Sequence, residues 1–459
     1  MVTLLDLSPE LVHRIVLSLA RSDPHPKFHN DTELSRLAAT CQTLHQITEP
    51  LLYSKFRQRL DLHHSQTQLF LRTILKNPAL AAQVKYLALS QTDFIYDREY
   101  WDEDKDEDGD ESKQGSDKGE SSVYSNEKRN REGPYANAVI AAFENLHIAS
   151  ESRETWVAAI RKRNQDALTA ILLLSHPNVE ELSISLTEQD EDGGYLQSAL
   201  KNAIHMKPEP ASGPFLKALR HVKCDHRCYD GSFGIEEVEY FFYIPSLRTL
   251  SFSSLSVYNL SWHPAPTSSN IEVLDLTSCG VDSAAWASLL TPLKFLKKLI
   301  YSPGNPKFVE FADTAPSAIG ASLTVVKNTL ESLSLTKFYF RGANDRDFLG
   351  SLKFFPRLKE VDVHLAMLIG TKDLRRSEML WELLPSSLEE LVVMNARSGY
   401  GHEQDREDSI DQLLECIARK ATEFPRLKKL TVPHTFGSVK VLSVVCEANG
   451  VLLMRRLVP

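Results

Sequence analysis

The fold is decided by a pattern that is clearest in the stretch Ile271-Glu272-Val273-Leu274-Asp275-Leu276-Thr277-Ser278-Cys279. Leu274 and Leu276 are two residues apart, so in an extended strand they point to the same face. Ile271 precedes this pair by three residues, and Cys279 follows it where the chain has to turn. A single copy would be weak evidence, because short apolar runs are common in globular proteins.

The same spacing returns along the chain. A first strand is predicted at 84–89, and the full pattern begins at Val179, Leu219, Leu247, Ile271, Leu296, Leu330, Leu358, Leu388 and Leu427. Successive starts from Val179 are 24 to 40 residues apart, and 451–457 is predicted as a degenerate last strand. Because neighbouring parallel strands need a crossover connection, the repeated unit is expected to be a strand followed by a helix.

This pattern resembles the leucine-rich repeat, whose consensus is L-x-x-L-x-L-x-x-N/C. The resemblance implies an α/β fold in which residues 133–459 form an irregular solenoid. Parallel strands would line its concave face, and helices would lie outside. Residues 61–96 would contribute a linking helix and the first repeat.

The N-terminal region predicts two helices. Pro9 suits the first position of a helix in which Leu11, Ile15 and Leu19 form one apolar stripe. A second helix with apolar residues at helical spacing is predicted over 31–47. A helical pair of this size cannot bury enough apolar surface to be stable alone, so it must pack on the repeats or on a partner.

Residues 1–60 resemble the F-box family, whose motif runs L-P-x-E-[LI]-[LI]-x-x-I-[LF]-x-x-[LI] and continues with L-x-x-[LA]-x-x-[VT]-C-x-x-[LFW]. The matching segments are 7–19 and 34–44. Ser8 stands where the family usually has proline, and the loop over 21–31 is longer than usual. The resemblance implies that a helical hairpin binds the linker subunit of a cullin-based ubiquitin ligase through Leu7, Pro9, Glu10, Leu11, Ile15, Leu19, Leu37, Cys41 and Leu44.

Charge is placed very unevenly in the 459-residue chain. Residues 97–132 hold 14 acidic and 7 basic residues, so they contribute −7 of the net charge of −9. Low hydrophobicity and like charge predict a disordered insert there. The remainder is close to neutral, which argues against nucleic acid as a partner.

The apolar runs, the N-terminus and the cysteines bear on where the protein is located in the cell. Its apolar runs fall far short of the roughly 18 residues that a membrane helix needs, so no membrane partner is expected. We expect no secretory signal, because the N-terminus has no basic segment ahead of an apolar run. Six scattered cysteines suit a reducing compartment, the cytoplasm or the nucleus.

The sequence gives little indication of a catalytic, cofactor-binding or metal-binding site. We find no phosphate-binding, dinucleotide-binding, zinc-protease or nucleophile-elbow pattern, so we expect neither an enzyme nor a cofactor. His221, Cys224, His226 and Cys228 lie close together, but their spacing is not a standard zinc set, and Cys224 falls on a core-facing strand position. Ordinary structural roles are favoured for these four.

The residues that alternate with the leucines must face the concave surface. Candidates for contact with a target protein are Thr249, Ser251, Ser253, Asp275, Thr277, Ser334, Thr336, Asp362, His364, Val392 and Met394. Small hydroxyl groups would let a ligand approach the sheet and form hydrogen bonds. The alternative is that they are simply favourable solvent-facing strand residues.

Two hypotheses for function remain open. By resemblance, the chain would be the substrate-recognition adaptor of an SCF-type ubiquitin ligase, with catalysis arising from proximity of the bound target. Alternatively, it is a protein-binding scaffold or regulator with no link to ubiquitin, and its N-terminal hairpin only caps the repeats.

Overall fold

Two compact units make up the fold in the computed structural model. The residues that the structure describes are 7–21, 31–58, 65–90, 134–144, 153–162, 164–186, 194–205, 216–226, 231–262, 266, 268–304, 314–336, 347–369, 379–394, 403–434, 436 and 439–456. The predicted acidic insert over 97–132 lies outside these residues.

The first unit comprises 1–84, 90–177 and 191–203. Its elements are α1 (Pro9–Arg21), α2 (Asp31–Ala38), α3 (Gln42–Leu52), β1 (Lys55–Arg57), α4 (Ser65–Lys76), α5 (Pro78–Ala81), α6 (Pro134–Glu144), α7 (Arg153–Lys162), α8 (Gln165–Leu174) and α9 (Tyr195–His205), whose last two residues fall outside the unit. Helices α6 to α8 therefore group with the N-terminal region, whereas the sequence assigned them to the repeats.

Over the described residues between 7 and 58 the chain forms three helices, so the predicted hairpin of two helices is corrected. The second predicted helix is broken before Cys41, which is extended at φ −159° and ψ 164° and precedes α3. Thr40 donates a hydrogen bond to the Leu37 carbonyl, 2.7 Å away, which helps to end α2. Helical spacing alone did not reveal this break, because the apolar positions continue through it.

The second unit comprises 85–89, 178–190 and 204–459. Its strands are β2 (Tyr86–Ser90), β3 (Glu181–Leu186), β4 (His221–His226), β5 (Phe233–Gly234), β6 (Thr249–Ser253), β7 (Leu255–Val257), β8 (Val273–Val281), β9 (Lys298–Pro303), β10 (Ser332–Leu335), β11 (Glu360–His364), β12 (Glu390–Met394), β13 (Lys429–Pro433) and β14 (Leu452–Arg456). Its helices are α10 (Ala285–Leu290), α11 (Pro316–Leu323), α12 (Leu365–Ile369), α13 (Leu380–Leu383), α14 (Glu403–Ala418), α15 (Lys420–Glu423) and α16 (Lys440–Ala448).

The strands form a parallel sheet in chain order, which confirms the α/β class predicted from the sequence. The order is β2-β3-β4-β6-β8-β9-β10-β11-β12-β13-β14, and every pair from β3 onward is parallel. Three short turns of 3-10 helix, Ile235–Glu237, Glu239–Tyr243 and Thr324–Val326, lie among the connections. β5 and β7 form a short side ribbon with the end of β8.

The register aligns one motif residue per strand, as predicted. The aligned set is Leu182, Val222, Leu250, Leu274, Leu299, Leu333, Val361, Leu391, Leu430 and Leu453. Leu274 and Leu276 are fully buried. Trp286 of α10 packs edge-on against Tyr301 of β9, with ring centroids 4.9 Å apart. The core of this unit therefore lies between the leucine side of the sheet and its helices, where each buried leucine contributes roughly 1.5–3 kcal/mol.

A ladder of charged residues borders the starts of the strands, and the charges alternate in sign except between Arg220 and Arg248. It occupies the residue after the first apolar position of each repeat, in the order Lys85, Glu180, Arg220, Arg248, Glu272, Lys297, Glu331, Lys359, Glu389 and Lys428. Four adjacent pairs lie at 2.6 to 2.9 Å, namely Lys85–Glu180, Lys297–Glu272, Lys359–Glu331 and Lys428–Glu389. Hydrogen bonding to lysine lowers the pKa of the Glu180, Glu331 and Glu389 carboxyl groups.

The backbone reinforces this ladder. The Glu331 carbonyl accepts from the N–H groups of Lys359 and Glu360, at 2.8 and 3.1 Å. The Lys359 carbonyl likewise accepts from Glu389 and Glu390, at 2.8 and 2.9 Å. Each of these carbonyl groups thus accepts hydrogen bonds from two successive N–H groups at the start of the next strand. These bonds fix the residue at which that strand begins.

Cys279 ends the most regular motif and is a fully buried residue. Its thiol lies 3.5 Å from the Phe252 carbonyl and 3.4 Å from that of Thr277, both of which accept from it. Burial raises the pKa of this thiol to about 12. Ser278, just before it, has φ +57°, a left-handed conformation inside β8 at the point where the register with β9 shifts between Thr277 and Cys279.

Candidate protein-binding surface

The candidate residues that alternate with the leucines lie on the polar face of the sheet, opposite the core. Ten of the eleven are half-buried, namely Thr249, Ser251, Ser253, Asp275, Thr277, Ser334, Thr336, Asp362, Val392 and Met394. His364 is the exception, because only 4% of its surface is exposed. Helix α12 begins immediately after it, at Leu365, and turns the chain away from the strand. His364 is therefore much less accessible than the other candidates, and its contact with a target stays a prediction.

The parallel register brings the middle residues of neighbouring strands into one row. From β6 to β13 the row reads Ser251, Asp275, Ile300, Ser334, Asp362, Val392 and Thr431. Neighbours in such a row are about 4.8 Å apart. This row, from Ser251 to Thr431, therefore forms one continuous strip across the strands, which we call the polar strip.

A shallow cavity of about 170 Å³ opens over this strip between β9 and β12. Its lining residues are Lys298, Ile300, Ser332, Leu333, Ser334, Glu360, Val361, Asp362, Glu390 and Val392. Lys298 and Ile300 were missed from the sequence, although they hold the same alternating positions in their repeat as the predicted candidates. The motif starting at Leu296 was sufficient to find them.

Polar side chains of the strip are linked across strands. Ser332 donates to a Glu360 carboxylate oxygen at 2.9 Å, and Ser334 donates to Asp362 at 3.4 Å. Lys429 and Glu390 form an ion pair at 3.0 Å. Within β8, Thr277 donates to Asp275 at 2.7 Å. These contacts hold several carboxylates in fixed positions on the face.

Asp362 is the most enclosed carboxylate of the strip. Burial raises its pKa, while Arg456, 3.4 Å from Oδ2, and Ser334 oppose that effect. Its other oxygen, Oδ1, is buried and has no hydrogen-bond partner among the described residues. A buried carboxylate oxygen without a donor is costly, so a donor supplied by a bound protein would be favourable there.

The helices at the N-terminus carry a second exposed surface. Their core consists of Val12, Val16, Leu34 and Leu44, with Leu7, Leu37 and Cys41 packed against it. Leu11, Ile15 and Leu19 instead expose 47%, 39% and 42% of their surface, so the predicted stripe faces outward on α1. Pro9 and Glu10 are also exposed, whereas Leu44 is buried in the core of these helices.

Three of the four residues considered for zinc binding lie on β4, on both faces of the strand. His221 lies on one face of β4, while Cys224 and His226 alternate with it and are buried on the other face. Cys228 lies outside the described residues. Over the described ranges, no group of three or more His, Cys, Asp or Glu side chains is placed to hold a metal ion.

Comparison with known proteins assigns the chain to no family. No protein-family model matches the chain, and no curated protein matches it. Among the helices that the structure describes, none has both the length and the apolar character needed to cross a membrane.

Proposed function

We propose that the chain is a substrate-recognition adaptor of an SCF-type ubiquitin ligase. The observation that carries this proposal is the exposed stripe of Leu11, Ile15 and Leu19 on α1, whose inner face is already satisfied by Val12 and Val16. Three large apolar side chains exposed in one row favour a protein partner. Burying each would contribute about 1.5–3 kcal/mol to association.

The second unit would supply the recognition half of the adaptor. Its repeated strand motifs support a leucine-rich-repeat solenoid, and the strip from Ser251 to Thr431 is the surface on which a target would bind. In this proposal, α1 to α3 form the F-box that contacts the linker subunit. In this proposal the chain needs no reacting group of its own, because holding a target near a charged conjugating enzyme is enough to accelerate transfer.

The experiment is affinity purification with mass spectrometry of the full chain. Replacing Leu11→Asp and Ile15→Asp should abolish recovery of linker and cullin subunits. A matched control, His13→Asp with Arg14→Asp, adds the same acids at exposed polar positions of the same helix and should retain both subunits. Circular dichroism of each variant establishes that α1 to α3 remain folded.

The scaffold hypothesis makes the opposite prediction for the same purification. If the wild-type chain recovers neither linker nor cullin under conditions where a known F-box protein recovers both, the adaptor proposal fails. Deletion of 1–56 would then be expected to lower the stability of the remaining chain without removing any ligase subunit.

A further inference from the structure

A half-open cleft lies beside the short ribbon of β5, β7 and the end of β8, away from the polar strip. Its volume is about 360 Å³, and it is lined by Ser232, Phe233, Gly234, Glu236, Ser256 and Tyr258. All six residues belong to the second unit. Neither the repeat motif nor the proposed adaptor function accounts for this cleft.

Ser256 is the unexplained group in the cleft. In β7, Leu255 and Val257 are fully buried, whereas Ser256 alternates with them and lines the cleft. Only 8% of Ser256 is exposed, yet its Oγ has no hydrogen-bond partner among the described residues. Buried hydroxyl groups are usually paired, and leaving one unpaired costs about 1–3 kcal/mol.

The strand register places no side chain directly beside Ser256 in the ladder. Ser256 is paired with Gly234 on one side and with Gly280 on the other, so no side chain flanks it in the ladder. The space that a Cβ at Gly234 would fill is taken by the carboxylate of Glu236. The carboxylate of Glu236, from the 3-10 turn that follows β5, therefore lies over Gly234, the residue that pairs with Ser256.

Glu236 contributes a charge that no neighbour neutralises. Across the described part of the chain, no cation or N–H group pairs with its exposed carboxylate. The adjacent Glu237 is engaged differently, because its carboxylate accepts from the Gly234 N–H at 3.1 Å. Among the six lining residues, Glu236 is the only one that is charged at neutral pH.

The chemistry that satisfies both groups is a compact cation with several donors. We infer that this cleft binds an alkylammonium group, as found on a lysine side chain or a free amine. An ammonium has three N–H donors and no acceptor. Two hydrogen bonds of about 2.8 Å would let it bridge Glu236 and Ser256. Phe233 and Tyr258 supply aromatic walls for its methylene chain, and an aromatic ring also attracts a cation.

The test is titration of the full chain with n-butylammonium, followed by NMR or calorimetry. We expect saturable binding that Glu236→Gln weakens about five-fold, which corresponds to the ~1 kcal/mol of an exposed ion pair. Ser256→Val, which keeps a strand-compatible residue but fills the cleft, should abolish binding. As a control, Glu447→Gln removes the same charge from an exposed position of α16 and should leave binding unchanged.

Two further arms identify the source of the ammonium group. Tighter binding of a lysine-containing peptide than of n-butylammonium, lost on acetylation of its Nε atom, assigns the cleft to a protein ligand. Equal binding of peptide and free amine assigns it to small amines. Absence of saturable binding at millimolar amine, or binding unaffected by both cleft variants, overturns the inference. Neither result bears on recovery of ligase subunits, so the adaptor proposal is tested separately.

Discussion

His176 makes the stability of the first unit sensitive to acid. The residue follows α8, is fully buried, and stacks on Phe70 with ring centroids 5.8 Å apart and an interplanar angle of 10°. Its Nδ1–H donates to the Leu172 carbonyl, while its buried Nε2 has no partner among the described residues. Burial disfavours the imidazolium form and lowers the pKa of His176 from 6.5 to about 4.

The sign and size of the effect follow from these two values. As the pH falls below 6.5, the unfolded chain takes up a proton that the folded chain refuses, so the free energy of unfolding decreases. The loss begins near pH 6.5 and is complete near pH 4. At 1.36 kcal/mol for each pKa unit, the full loss is about 3.4 kcal/mol, of which about 2 kcal/mol has occurred at pH 5.

Hydrogen exchange of the α8 amide groups, converted to protection factors near pH 7 and pH 5, measures this loss locally. The comparison is with His176→Phe, which keeps a ring against Phe70 but cannot titrate. The Leu172 carbonyl still accepts from the Ser175 N–H at 3.3 Å in that variant. We expect the wild-type chain to lose about 2 kcal/mol more protection than the variant on acidification. Equal losses would show that His176 is not the titrating group.

Three further predictions concern the second unit. Leu274→Ala should lower its free energy of unfolding by about 3 kcal/mol in urea titration, because it leaves a cavity at a fully buried position; a loss below ~1 kcal/mol would show that the motif leucines are not its core. Lys359→Met should lower the free energy of unfolding only slightly, and the loss should shrink with added salt, because its ion pair with Glu331 is exposed. Arg455 holds the core-side position of edge strand β14, in register with Val432, and should oppose edge-to-edge pairing. Arg455→Val should therefore cause self-association in analytical ultracentrifugation, and a monomer unchanged at all concentrations would refute that role.

The repeating strands could be predicted because their signal is local and redundant. A pair of apolar residues two apart, led by a third three residues earlier, specifies both the strand and its buried face. The register then follows from aligning the motifs, as Leu250, Leu274 and Leu299 show. The charge ladder was equally readable, since its members occupy one motif position, but pairing across strands becomes evident only once the strands are adjacent.

The helices illustrate why periodicity is insufficient on its own. α1 carries two stripes at helical spacing, one of Val12 and Val16 and one of Leu11, Ile15 and Leu19. Periodicity identifies both, but only packing against α2 and α3 decides that the valines are buried and the larger residues exposed. The same spacing cannot distinguish a core stripe from a docking stripe.

The cleft at Ser256 could not be predicted, for a related reason. β5 and β7 have only two and three residues, too few to show a periodic pattern. The Glu236 carboxylate lies beside Gly234 because glycine has no Cβ to occupy that space. Such a site depends on which strands become neighbours, and that information is spread over residues 233 to 281.

The arrangement of the second unit separates stability from recognition. Leucine-side residues such as Leu333 and Val361 determine whether the strands align, while Ser334 and Asp362, one residue further along, face away from that core. A substitution at Asp362 therefore changes one point of the polar strip without opening a cavity beneath it. The strip varies from Ser251 through Asp275 and Ile300 to Val392, although the buried row beneath it stays aliphatic. Under the proposed function, the polar strip would distinguish one target from another, while the leucines of each repeat hold the strip in register.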